Sequence, residues 1–317
     1  MHWADRIGSR IKLRDLHMLH AVVQSGSMTK AARELAISVP VVSKAIAELE
    51  HTVGVTLLDR SPQGVEPTAY GRALVRRGLA AFDELRQGMK DIEFISDPTT
   101  GEVRIVSTAP LAASFVCGVI DRLARRYPRI VFFPMVANDG TVRRQLSERN
   151  VDLMIGRRLA SHPDEPLDFE ALYDNPYVVM AGAGSPWVRK RKVALADLMH
   201  EPWVLPPPDS AIGIFFAEGF RAHGLDLPNT TVFAYAYEVR VSLLATNRYL
   251  TILPESVLRF PAANPRIRML PTDLRLRRMP VGIFTLKGRT ISPAAHLFMD
   301  VAREIARPLT KPKRLML

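Results

Sequence analysis

A single cysteine, Cys117, in 317 residues has no partner for an internal disulfide and cannot build a structural zinc site. Long apolar runs are also missing: no stretch approaches the ~18–20 consecutive apolar residues of a membrane span. The opening residues Met1-His2-Trp3-Ala4-Asp5-Arg6 lack the apolar core and small-residue cleavage site of a secretion signal. A cytoplasmic protein is expected. The eight histidines are scattered without metal-ligand spacing, and no G-x-S-x-G, Walker A or H-E-x-x-H motif occurs. No catalytic residue, metal or cofactor is therefore expected. Internal repeats and low-complexity segments are absent. Hydrophobic residues at 47% and charged residues at 24% exclude a fully disordered chain. The length suits two or three domains at roughly 100–200 residues each.

Acidic residues are in deficit, with 32 Asp and Glu against 43 Lys and Arg, a net charge of +11. That permits a nucleic-acid partner without proving one. The excess is unevenly placed: residues 1–96 carry +2 and residues 97–317 carry +9. Arg189-Lys190-Arg191-Lys192 and the stretch from Arg259 to Arg278 supply much of it, and such runs read first as solvated surface.

Residues 13–60 have the pattern of three short helices. Leu13, Leu16, Leu19 and Val23 share one face, and Gly26 ends the first helix. Ser27 suits the N-cap of a second helix from Met28 to about Ala36. Ser38 suits the cap of a third, with Pro40 in its first turn and Val42, Ala45, Ile46 and Leu49 on its buried face. The short link between the second and third helices makes a helix-turn-helix possible. Two brief extended segments around Asp59-Arg60-Ser61-Pro62-Gln63-Gly64 predict a small hairpin, or wing. Residues 69–96 predict one long helix. Its seam of Gly71, Leu74, Gly78, Ala81, Leu85, Gly88, Ile92 and Ile95 resembles a coiled coil and is expected to pair with another chain.

Beyond the linker Asp97–Gly101, strand-like and helical segments alternate. Strands are expected at Val103–Ser107, Val131–Ala137, Asp152–Gly156, Tyr177–Gly182, Trp203–Leu205, Thr231–Tyr235, Tyr249–Leu253 and Val281–Leu286. Helices are expected near 111–126, 140–149, 212–223, 239–247 and 293–306. This alternation implies parallel sheets flanked by helices in two small α/β lobes.

The run Ser27-Met28-Thr29-Lys30-Ala31-Ala32-Arg33-Glu34-Leu35, with Ser38 to Ile46, Leu49-Glu50, Gly54-Val55 and Leu57-Leu58-Asp59-Arg60, strongly resembles the winged helix-turn-helix of LysR-type transcriptional regulators. Thr68 and Gly71 resemble the family's T-x-x-G lead into its linker helix. Gly101–Ile105, Arg126-Tyr127-Pro128 and Val151–Gly156 resemble its effector domain. The resemblance runs from about residue 13 to 307. It implies an N-terminal all-α winged helix-turn-helix (1–68), a long linker helix for dimerisation (69–97), and a two-lobed α/β effector domain resembling periplasmic binding proteins (101–308). The first lobe would comprise about 101–166 with 283–308, and the second about 167–282. It also implies a homotetramer, a dimer of dimers. Segment 172–210 and the ending near Pro280-Val281-Gly282 resemble the branch that includes regulators of protocatechuate and sugar catabolism. Two departures stand out: Val39 where the family very often has Gln, and Leu58 where it usually has Phe.

Within that frame, the start of the third helix should enter the major groove. Ser38, Val39 and Pro40 lie there, with Ser43 and Lys44 offering phosphate or base contacts. Thr29 and Lys30 begin the second helix, where backbone N–H groups attract phosphate. Arg60 leads into the wing; a salt bridge to Asp59 or Glu66 is its alternative. In the effector domain, Thr108 precedes a helix and suits either a plain cap or an anion contact. Arg157 follows a strand and can grip a carboxylate with two parallel bonds, or stand as a surface charge. Asp209 and Ser210 lie between a strand and a helix that offers a second anion grip, and Asn138 reads as a helix cap. The leading function is a sequence-specific transcription regulator responding to a small, anionic effector. Double-stranded promoter DNA, a carboxylate effector, further copies of itself and RNA polymerase are its candidate partners. A solute-binding component of transport and an α/β enzyme are the alternatives.

Overall fold

Leu16, Leu19, Ala21 and Val22 turn inward from helix α1 (Leu13–Ser25), which ends at Gly26 in the left-handed conformation. Against it pack α2 (Met28–Glu34), through Ala31 and Ala32, and α3 (Val39–Val53), through Val42, Ala45, Ile46 and Leu49. The small Ala31–Ala32 surface lets the helices approach closely. Ser27 caps α2 by accepting from the Lys30 N–H, whereas Ser38 occupies the cap position of α3 without a side-chain cap bond. Strands β1 (Leu58–Ser61) and β2 (Gly64–Pro67) pair antiparallel as the expected wing. In this computed structural model the described residues are 10–158, 166–228, 230–260 and 265–309.

The wing is tied down by side chains as well as by its own ladder. Glu50 Oε1 accepts the Leu57 and Leu58 N–H groups at 2.7 and 3.2 Å, and the Val65 N–H reaches the Gly26 carbonyl at 2.9 Å. Thr68 bonds the Thr56 carbonyl and accepts the Gly71 N–H, which opens helix α4 (Ala69–Ser96). Only glycine fits at 71, because a Cβ there would lie 2.0 Å from the Leu57 carbonyl oxygen. The expected α4 seam divides in two. Leu74, with Val75 beside the seam, packs on the helix-turn-helix core, while Leu85, Ile92 and Ile95, with the neighbouring Met89, are exposed, Ile95 at 78%. The first half of the seam is thus used within the chain.

Two compact units meet within α4, one reaching Met89 and the other beginning at Lys90. The second unit holds two five-stranded sheets. In the first, β3 (Thr100–Ser107) runs parallel to β4 (Arg129–Val136) and β5 (Leu153–Arg157); β12 (Pro280–Leu286) lies antiparallel between β5 and β6 (Leu167–Asp174). In the second, β8 (Trp203–Leu205) pairs parallel with β9 (Thr230–Phe233) and β10 (Leu250–Pro254); β7 (Tyr177–Gly182) lies antiparallel between β10 and the edge strand β11 (Ile267–Met269). Both sheets are mixed, where alternation had suggested parallel ones. The boundary also differs from expectation: 167–174 and 280–282 belong to the first sheet, so the chain crosses after Asp174 and returns before Pro280. Helices α5 (Ala109–Leu111), α6 (Cys117–Arg126), α7 (Asp139–Ser147) and α10 (Pro293–Ala306) flank the first lobe. Helices α8 (Ala211–Arg221) and α9 (Tyr237–Leu244) flank the second. A π-helical turn, Ala112–Val116, separates α5 from α6. Among the described residues no helix is long and apolar enough to cross a membrane.

Replacing Gly71 with Ala is expected to force α4 away from the wing base, at about 1–3 kcal/mol for such overpacking. The melting of the N-terminal unit, followed by helical circular dichroism, should drop by several degrees; an unchanged midpoint would contradict the close approach.

Candidate functional site

Burying Val42, Ala45, Ile46 and Leu49 rotates the opposite side of α3 outward. Ser38, Val39, Pro40, Val41 and Lys44 are all exposed there, with Ser43 half-buried at the margin. Val39 and Val41 are notable because valine seldom stands in water at the start of a helix; here both are more than one-third exposed. Lys44 lies 3.8 Å from Glu48 one turn on, an exposed pair of the kind worth little and readily exchanged for another partner. Thr29 and Lys30 are exposed in the first turn of α2. Arg60 is exposed on β1, opposite Val65, and no carboxylate among the described residues comes within ion-pair distance of it. The alternative of a salt bridge to Asp59 or Glu66 is not formed. The N-terminal unit thus presents one valine- and proline-edged helix face, flanked by cations.

A second constellation lies where the chain crosses between the two sheets of the C-terminal unit. Arg157 ends β5 and is only 7% exposed. Its guanidinium lies 4.4 Å from the centre of the Tyr177 ring, donates to the Tyr177 hydroxyl at 3.2 Å and to the Asn175 carbonyl at 3.1 Å, and has no bond from Nε. No carboxylate among the described residues pairs with it. Asn175 in turn donates to Ser256 Oγ at 2.9 Å and accepts the Ser256 N–H at 3.0 Å; Ser256 is also 3.1 Å from Ser114 Oγ. Arg157 ends β5, Asn175 follows β6 and Ser256 follows β10, each at the carboxyl end of its strand. That is where open α/β sheets place ligands.

A second buried guanidinium, Arg240 on α9, donates to Thr251 Oγ1 at 3.1 Å and to the Ile252 carbonyl. Burial pulls its pKa down to about 10, which leaves it charged at neutral pH.

The remaining expected effector residues occupy separate positions. Thr108 follows β3 half-buried, at the cap of α5, with its hydroxyl making no cap bond. Ser210 caps α8: its hydroxyl accepts the Gly213 N–H and donates to the Pro207 carbonyl. Its donor is therefore committed to the turn, and only backbone N–H groups of α8 remain there for an anion. Asp209 is exposed, and a carboxylate at that point repels an anion. Asn138 caps α7 by accepting the Thr141 N–H at 3.0 Å. No hydrogen bond among the described residues joins Thr108, Arg157 and Ser210. Asn175, Tyr177, Ser114 and Ser256 were not expected as site residues. The Asn175-Pro176 step before a strand-like run was the one available signal, since proline restricts its predecessor and cannot sit inside a ladder.

Two family descriptions match the chain: "Bacterial regulatory helix-turn-helix protein, lysR family" over residues 13–72, and "LysR substrate binding domain" over residues 96–307. The chain belongs to the LysR family. As a LysR regulator it is a DNA-binding transcriptional regulator with a C-terminal domain of the substrate-binding type, and not an enzyme. It is 27% identical over 310 residues to the HTH-type transcriptional regulator GbpR of Azospirillum brasilense, covering 97% of this chain and 90% of that one. It is 25% identical over 304 residues to the HTH-type transcriptional regulator PcaQ of Agrobacterium fabrum, covering 96% and 97%. The fold is shared with the crystal structure of ArgP from Mycobacterium tuberculosis, at a TM-score of 0.68 and 20% identity over 94% of this chain and 98% of that one. Matches across both regions set aside the transport and enzyme readings.

Proposed function

We propose that this LysR regulator reads DNA with the outer face of α3 and responds to a small carboxylate held at Arg157. In the DNA-binding unit, Ser38, Val39, Pro40 and Ser43 face the bases, while Thr29, Lys30, Lys44 and Arg60 meet phosphates; this sorts contacts that specify from contacts that position. Glutamine at 39 would read adenine through N6 and N7, whereas valine offers two methyl groups suited to a thymine methyl. Part of the half-site is therefore read by apolar contact.

The observation that carries the effector reading is the buried guanidinium of Arg157, which the described residues leave without a carboxylate. A buried charge without an opposite charge is costly, and an incoming anion removes that cost. Thr108 and the N-terminal N–H groups of α8 supply further polar contacts on the two lobes, and the Asn175–Ser256–Ser114 bonds position the crossing on which Arg157 rests. Assembly into dimers and then tetramers runs through the exposed Leu85, Met89, Ile92 and Ile95 of α4. RNA polymerase contact and a cytoplasmic location belong to the same proposal, as does kinship in effector class with regulators of protocatechuate and sugar catabolism.

Arg157→Ala is expected to abolish the change in DNA affinity that small aromatic and sugar-acid carboxylates produce in the wild-type gel shift, while leaving effector-free DNA binding intact. A normal response in the variant would remove Arg157 from the site. Val39→Gln should change base preference at one position per half-site, with ~1–3 kcal/mol of discrimination behind it. Identical logos selected from a randomised pool would show that residue 39 does not face the bases. Leu85→Asp places a charge in the proposed helical interface and should cost it several kcal/mol; light scattering that still reports the wild-type oligomer would rule that interface out.

A further inference from the structure

In the second lobe three arginines have carboxylates at hand: Arg259 pairs with Glu255, Arg277 with Glu218, and Arg278 with Asp174 at the end of β6. Arg189, Lys190, Arg191 and Lys192 differ. All four are exposed, and no carboxylate among the described residues lies at ion-pair distance from any of them. Asp197, a carboxylate nearby in sequence, is turned to the Ala194 N–H at 3.2 Å.

The run is also fixed in place. A short 3₁₀ turn, Pro186–Arg189, is capped by Ser185, and Trp187, Val188 and the buried Val193 pack on the core of the second lobe. The Lys190 ammonium lies 5.2 Å from the Trp187 ring centre. Backbone bonds hold both flanks of the segment against the β11 region: the Ala183 N–H meets the Arg266 carbonyl at 2.7 Å and the Val193 N–H meets the Pro271 carbonyl at 3.3 Å. Arg266 and Arg268, both exposed, lie on that same edge of the sheet.

We infer that Arg189-Lys190-Arg191-Lys192, beside the β11 edge, is a second DNA-binding surface that engages duplex phosphates outside the half-site covered by the helix-turn-helix. Charge complementarity selects this partner. Residues 1–96 carry only +2, while the remainder of the chain carries +9, so most of the regulator's attraction for a polyanion lies outside its reading head. On either side of the run Val188 and Val193 pack on the core of the lobe, leaving only cations on the surface between them. Protein interfaces are built instead on aromatic cores depleted in lysine. Duplex phosphate needs no apolar contact, and each phosphate neutralised releases condensed counterions.

The test uses the full-length regulator and the site it selects from a randomised pool, carried on a fragment of about 20 bp and on one of about 150 bp, near one persistence length. Replacing Arg189, Lys190, Arg191 and Lys192 with Gln should lower the log–log salt slope on the long fragment by about two to four units, at ~0.9 per phosphate contact, and leave the short-fragment slope unchanged. The Arg191→Glu, Lys192→Glu double variant should lower the long-fragment slope as well, with an unaltered circular dichroism melt confirming that it folds. Equal slopes for wild type and variant on both fragments would overturn the inference. An equal fall on both would overturn it too, as a general charge effect. Unchanged slopes with lost transcription in a purified polymerase assay would overturn it in favour of an acidic protein partner. Wild-type binding to the short fragment checks the helix-turn-helix independently.

Discussion

A single buried carboxylate, Asp152, organises the junction between the end of the linker helix and the first sheet. At 3% exposure it accepts Lys90 at 3.1 Å and the Arg104 N–H at 2.8 Å, and it lies 3.8 Å from Arg289. Lys90 is itself mostly buried and also 3.7 Å from Glu102. Taking a carboxylate out of water costs several kcal/mol, and removing one member of such a set costs about 3–5 kcal/mol because the others are left uncompensated. That cost is met by two cations, Lys90 of α4 and Arg289, and by a backbone N–H from β3.

The same strand carries the opposite case at its other end. Asp152 immediately precedes β5 and is compensated by the protein. Arg157 closes β5 and receives only a carbonyl, a phenol and an aromatic face. Both charges are buried, yet one has opposite charges around it and the other does not. That difference separates a structural ion cluster from the charge at which an anionic effector is proposed to bind. Arg240 shows that burial alone is not the criterion: its Nε and Nη2 bond Thr251 and Ile252, so it braces α9 against β10. Arg157 differs in that its Nε has no bond, and the proposed effector contact is placed there for that reason.

The N-terminal unit is held by short-range choices that agree with one another. Glu50 reaches from α3 to the two N–H groups that begin the wing, Thr68 caps α4, and Gly71 lets that helix touch the Leu57 carbonyl. With the wing and linker so fixed, the outer side of α3 needs no packing residues. That freedom explains why Val39 can stand in water where the family very often has glutamine.

Periodicity and punctuation in the sequence determined the three N-terminal helices, the wing, the linker helix and most of the strands and helices beyond it, but not the strands β6 and β11. Each rests on interactions within a few residues: Ser27 with Lys30, Gly26 as a left-handed stop, Tyr177–Gly182 as a continuous apolar strand. Which residues of α3 face outward was legible for the same reason, since burying Val42, Ala45, Ile46 and Leu49 leaves only one other side. What tertiary structure alone decided is everything that depends on pairing across long separations. Strand direction in the two sheets, the presence of β6 and β12 side by side, and the split of the α4 seam into a buried and an exposed half all came from partners far away in the chain. So did the fates of Ser210 and Arg157. A serine before a helix reads the same whether its hydroxyl is free or bonded to Pro207. An arginine after a strand reads the same whether a carboxylate awaits it or only Tyr177 and Asn175 do. Charge compensation in a folded protein is set by what arrives through space, and linear spacing does not encode it.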